Sequence, residues 1–216
     1  MSRPLYLRTN EQEEAVRSLE WAETQAQLIS NDPYHWKWVF IALHNAAQGF
    51  MVLALWNGNG LLTLRPKIAT KWLTAYENGG PFPAEKLDEF LNLYEKVKDA
   101  GNFHTIGSGP FNAKHSHDLS LDKLNSIRNE FIHFTPKGWS LELAGLPGIC
   151  LDVLEFMQWL GQESTAILWY KPAHRVRTKR AIRRLMRTLQ QLAKRVDACV
   201  RAGRRKSAAP LSVTLN

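Results

Sequence analysis

The sequence predicts an all-α fold, a helical bundle of five or six helices with a basic amphipathic helix at its C-terminal end. Three observations predict it. Apolar residues recur at helical spacing through most of the chain. Turn-forming residues cluster between those periodic segments, as in "NGNG" at 57–60 and "GGPFP" at 79–83. No stretch alternates strictly enough to read as a β-rich region, and no internal repeat interrupts the pattern. At 216 residues the chain suits one large domain or a domain with an appendage. Its 44% hydrophobic content, with eight Trp and nine Phe, supplies a core and excludes a disordered chain.

The elements follow in order. "TNEQEEAVRSLEWAETQAQLIS" opens on a cap at Thr9 or Asn10 with acids in its first turn. In "NDPYHWKWVF", Asp32 is placed to cap the second helix and Pro33 to occupy its first position. That helix runs to "NGNG". A shorter helix covers "PKIATKWLTAYEN", and "AEKLDEFLNLYEKVKDAG" reads as a fourth, closed by Gly101. Residues 102–116 are non-periodic and read as a loop. "LSLDKLNSIRNEFIHF" is the fifth helix, and "TPKGWSLELAGLPG" an irregular connector with a short extended piece at Trp139–Leu143. "ICLDVLEFMQWLGQESTAILWY" is the sixth, ending before Pro172. The organisation expected is a helical domain over 1–171, a basic helix over 172–206 and a flexible tail over 207–216.

Composition restricts compartment and partners. Cys150 and Cys199 lie far apart, with no metal-type spacing, so a reducing, cytoplasmic setting is expected and a disulfide framework is not. The N-terminus has no apolar signal-type region. Trp38–Trp56 has the length of a membrane span, but His44, Asn45 and Gln48 stand at its centre, where polar groups are costly. It reads as the central helix of a bundle, and no membrane partner is expected. The polar trio serves either as a satisfied core network or as lining of a cleft.

Charge is unevenly divided. Residues 171–216 hold fourteen Lys and Arg against one acid, Asp197, while residues 1–170 hold fourteen basic and nineteen acidic side chains. On a wheel of about 100° per residue, Ile182, Leu185, Met186, Leu189, Leu192, Ala193, Val196 and Val200 share one face. Arg180, Arg183, Arg184, Arg187, Lys194, Arg195 and Arg201 take the other. The apolar side packs and the cationic side suits a polyanion, with nucleic acid ahead of an anionic membrane. A solvated face is the plain reading, but fourteen cations to one acid exceeds it.

The fifth helix carries the candidate chemistry. Leu121, Leu124, Ile127, Phe131 and Phe134 form its apolar stripe, and Asp122, Ser126, Asn129 and His133 fall opposite. Asn129 and His133 are an i, i+4 pair, one above the other. Arg128 sits on the flank, about 140° from His133. A solvated polar face is the plain reading of these residues.

"RNEFIH" (128–133) resembles the Arg-x4-His signature, with a polar residue after the Arg, of the HEPN (higher eukaryote and prokaryote nucleotide-binding) superfamily. The likeness covers roughly residues 10–170 as an all-α domain, and the short motif identifies it. It implies a homodimer whose motif helices face each other, and a metal-independent endoribonuclease in a toxin–antitoxin or phage-defence setting. His133 would be the general acid/base, Arg128 would neutralise transition-state charge, and Asn129 would orient the phosphate or His133. RNA would be the substrate, no cofactor would be needed, and a cognate antitoxin would be a partner. Where such toxins carry a modifiable Tyr two positions after the His, this chain has Thr135, so that route of regulation is not expected. Some members bind without cutting, so a noncatalytic nucleic-acid-binding module or a helical regulatory protein remains the alternative.

Other constellations read as structural. His115, His117 and Asp118 in "KHSHDLS" are too few for a metal without distant ligands, and Asp118 or Ser120 suits a helix cap. "GSGP" (107–110) lacks the Lys-Ser/Thr of a phosphate loop. Tyr34, Trp36 and Trp38 either stack bases or fill the core.

Overall fold

Helix α1 spans Glu11–Leu28, and its start is capped by Asn10, whose side-chain oxygen accepts from the Glu13 amide at 2.8 Å. In this computed structural model residues 5–56, 58–103, 109–133 and 136–207 are described, with side chains excepted at 197 and beyond 198. Asn57, Phe134, Thr135, part of "GSGP" and nearly all of the tail lie outside them. Among the described residues there are seven α-helices and no strand, as the periodicity predicts.

Helix α2 (His35–Leu55) is the centre of the molecule. Val39, Phe40, Leu43, Ala46, Ala47, Phe50 and Met51 are fully buried along it. It is long and apolar enough to cross a membrane, yet 67% of its most apolar window is covered by its neighbours. It starts two residues later than expected. Asp32 instead accepts from the Tyr34 amide at 2.8 Å and caps the turn ahead of it. Helices α1 and α2 approach closely, because a Cβ on Gly49 would come within 2.8 Å of the Ala15 Cβ.

Helix α3 (Pro66–Asn78) has no buried residue and is closed by Gly79 in the left-handed region (φ 63°), where Gly carries no Cβ penalty. Helix α4 is shorter than predicted, covering only Phe90–Lys98. The residues before it are extended: Leu87 bridges Leu64, and the Asp88 carboxylate is held by Lys96 at 2.6 Å. Helix α5 (His115–Ile132) begins four residues early, because the His117 ring accepts from the Lys114 amide at 3.0 Å. Asp118 and Ser120 are therefore not caps. Residues 136–145 are irregular, as expected of the connector, and 139–143 form no strand. Helix α6 (Leu146–Gln158) passes into a π turn over Trp159–Glu163, and the chain is irregular from Ser164 to Lys171, so the sixth helix stops short of Tyr170.

Helix α7 (Pro172–Ser207) joins the same core, packing on α1 and α6 through Ala181, Ile182, Leu185, Leu189 and Leu192. Its entry is clasped to α1 by ions. Arg177 donates to Glu20 at 2.6 and 2.9 Å and to Glu13 at 3.0 Å, while His174 meets Glu13 at 3.0 Å. The Arg177 guanidinium, donating to Glu13, holds that carboxyl down at about 2 from the ordinary 4.5, against the opposing effect of burial.

A carboxyl pKa lowered on folding stabilises above its unfolded value, and the gain is lost as pH falls through the folded one. The clasp's own share of the urea midpoint is expected to hold above pH 4.5 and to decline toward pH 2. Arg177→Ala should cost about 2 kcal/mol near neutral pH and flatten that decline. An unchanged acid profile in the variant would remove the clasp from the account.

Candidate nucleic-acid interface

Three polar contacts fix how α5 is turned. Its Asp118 accepts from Tyr94 Oη and from Lys98 Nζ of α4, both at 3.0 Å. Its Ser120 donates to Asp152 of α6 at 2.7 Å. Its Asn125 side-chain oxygen lies 3.1 Å from His44 Nε2 of α2. With Leu121, Leu124 and Ile127 buried, Asp122, Ser126 and His133 are exposed and Asn129 is half-buried, as the wheel places them.

Arg128 lies on the flank, half-buried, and its Nη1 donates to Asn129 Oδ1 at 2.9 Å. Its Nε is buried with no hydrogen-bond partner. His133 closes the helix: its amide donates to the Asn129 carbonyl at 2.9 Å, and its side chain faces outward at the last turn. The structure thus joins Arg128 to Asn129 directly. His133 lines a groove in which neither of them takes part.

The polar trio inside α2 divides. Asn45 is exposed and Gln48 half-buried, while His44 is only 2% exposed and stacks on Phe90 with centroids 4.0 Å apart. Burial depresses the His44 imidazole to about 4 and the Arg128 cation pushes the same way, with the Asn125 contact opposing. With Nε2–H donating to Asn125, Nδ1 remains a buried acceptor without a partner. His44 therefore belongs to a core network behind Arg128 and does not line the groove with His133. The sequence shows a polar residue in an apolar helix at 44, but nothing in it pairs that residue with 125 or 128.

The groove holds about 390 Å³ between the start of α2, the end of α5 and the connector after it. Tyr34, Trp36, Phe131 and Trp139 supply rings, and Lys37, His133, Lys137 and Glu130 supply polar groups. The early aromatic cluster is split. Trp36 is 3% exposed and structural, whereas Tyr34 is 60% exposed and faces the groove, and Trp38 is exposed beside Lys37, whose Nζ stands 5.2 Å from its ring. The connector residues Trp139, Leu141 and Leu143 are a contribution that sequence reasoning missed.

On α7 the cations Arg180, Arg183, Arg184, Arg187, Lys194 and Arg195 are all exposed. Arg184 lies 3.8 Å from Glu23, and Arg195 donates to Ser30 Oγ at 2.7 Å. Arg201 lies where side chains are not described. Elsewhere His117, Asp152 and Glu155 place ligand-type atoms within 4.8 Å of one another, the distant partners that "KHSHDLS" lacked. The tautomer opposes a metal there. Nδ1 of His117 accepts from the Lys114 amide, so the neutral ring carries its proton on Nε2, aimed at Glu155 at 3.2 Å.

Set against known protein families, curated proteins and solved structures, the chain matches none.

His44 binds a proton more readily unfolded than folded, so acid unfolds the core around it. Stability should be full above pH 6.5 and fall by about 3 kcal/mol on titration to pH 4. His44→Gln is expected to remove that step from the pH dependence of chemical denaturation. A wild-type curve flat from pH 7 to 4 would show that His44 is not buried neutral.

Proposed function

We propose that the chain is a metal-independent endoribonuclease of HEPN type, working as a homodimer in which two α5 faces enclose one RNA phosphate. The observation that carries the reading is the outward face of α5. Asn129 and His133 stand one turn apart on it, and Asn129 holds the Arg128 guanidinium at 2.9 Å. One copy offers a single imidazole and a guanidinium on different sides of the helix. Two copies about a twofold axis would offer two of each to one cleft.

In this scheme the ribose 2′-oxygen attacks phosphorus and the bond to the 5′-oxygen breaks. One His133 takes the 2′-hydroxyl proton, and the partner's His133 returns a proton to the leaving oxygen. Arg128 keeps three Nη N–H groups beyond the one given to Asn129 and would bind the phosphate oxygens as charge builds on them. The products are a 2′,3′-cyclic phosphate and a 5′-hydroxyl, and the step asks for no metal. The exposed cations of α7 would gather RNA by its phosphates. A toxin or defence role and a cognate antitoxin protein are proposed together with this reading on the resemblance of "RNEFIH", and a cytoplasmic site of action on the unpaired spacing of Cys150 and Cys199.

Purified protein is expected to cleave RNA in EDTA, leaving cyclic phosphate ends. His133→Ala and Arg128→Ala should each lower the rate by about 10²–10⁴ with the helical content unchanged. Intact RNA would favour a noncatalytic binding module, and unimpaired variants would place the chemistry elsewhere. Because the inner face of α7 is core, the arm is tested by neutralisation and not by deletion. Arg180→Gln, Arg183→Gln and Arg187→Gln together should weaken RNA binding. The slope of log affinity against log salt should also fall, by about 0.7 per lost phosphate contact on single strands. An unaltered slope would return α7 to a purely structural role.

A further inference from the structure

We infer that the groove at the end of α5 is a nucleobase site: it receives one unpaired base of single-stranded RNA and holds the adjoining phosphate at Lys37 and His133. The inference rests on RNA being the ligand, as proposed above, and assigns to that site a part that the Arg-x4-His motif does not include.

Ring geometry is the first support. Trp139 meets Phe131 edge to face, centroids 5.0 Å apart at 62°, which fixes the indole while leaving it 42% exposed. Tyr34 stands on the α2 side of the same groove with most of its ring open. Two partly open rings lining one groove suit a flat aromatic ligand, and stacking on them is indifferent to which base enters.

The rim supplies the rest. Lys37 Nζ lies 5.6 Å from the Tyr34 ring, so a cation stands beside the stacking surface, and His133 opens on the same space. Glu130 and Lys137, paired at 2.7 Å, add an acceptor and a donor for a base edge. An apolar peptide segment would need none of these charges. A duplex offers no free base face to a cavity of about 390 Å³, a volume in the range of small-ligand sites.

The groove also adjoins the cationic helix. Arg195 of α7 reaches Ser30, and Pro33 on the groove wall is three residues further on, within about 11 Å along the backbone. A strand held through its phosphates on α7 therefore arrives at the groove mouth, where a base can leave the solvent.

The test uses a 2′-O-methyl oligoribonucleotide, which lacks the attacking hydroxyl, so binding is read whether or not the chain cleaves. The single strand should bind at least tenfold more tightly than the same strand annealed to its complement. Tyr34→Ala and Trp139→Ala, checked for unchanged circular dichroism, should each weaken the single strand about tenfold and leave the duplex unaffected. Equal affinity for strand and duplex, or wild-type binding in both variants, would overturn the assignment. So would binding of adenosine 5′-monophosphate in the groove without binding of the strand, which would make the ligand a free nucleotide. Strand binding through these rings without cleavage of unmodified RNA would sink the catalytic reading and leave the base site standing. Cleavage indifferent to Tyr34 and Trp139 would do the reverse.

Discussion

The rotation of α5 about its own axis is the constraint on which the site depends. Leu121, Leu124 and Ile127 must face the core, and their burial alone would tolerate some rocking of the helix. The polar contacts at Asp118, Ser120 and Asn125 remove that freedom, since each reaches a different neighbour, α4, α6 and α2 in turn. Buried polar groups are costly to leave unpaired, so such contacts specify one arrangement over its near competitors. With the first turns pinned, the last turn has no choice. Asn129 and His133 point outward and Arg128 is directed along the flank.

That flank explains an otherwise odd feature. The Arg128 guanidinium reaches Asn129, while its Nε remains buried without a partner and its charge acts on His44. A cation so placed requires a neutral imidazole beside it, and burial supplies one. The histidine inside α2 is thus better understood through α5 than through its own helix. Its polarity is tolerated in the core because Asn125 takes one nitrogen and Phe90 covers the ring.

Much of the fold was legible in the sequence because it is written locally. The apolar spacing of α1, α2 and α7, the Asn10 cap and the Gly79 stop each act within a turn or two of themselves. What was illegible depends on distant partners. The first part of the expected fourth helix is extended because Leu64 and Lys96 compete for its residues, and α5 starts early because a histidine ring caps it. Site residues divide the same way. The faces taken by Asn129 and His133 follow from helical spacing alone. The groove does not, because its walls come from residues 33–37 and 130–143, about a hundred positions apart and with no shared period.

Helix α7 shows why charge and packing cannot be assigned separately along this chain. Its inner residues complete the core, so the cations opposite them are held in a fixed row, unlike the same charges on a flexible tail. Among the described residues, Arg184 and Arg195 are the two of the six named cations with a side-chain ion pair or hydrogen bond, and Arg184 stands 3.8 Å from its carboxylate, a weak pairing in solvent. Two of the five acids of α1, Glu13 and Glu20, are taken up by Arg177 at the entry to α7. Had those acids been spread along α7, its face would be less positive. Instead the compensation is concentrated at one end, which secures the helix and leaves the remaining length positively charged toward solvent. A row of fixed charge of one sign costs self-repulsion that nothing in the fold repays, and a polyanion lying along it would relieve that repulsion directly.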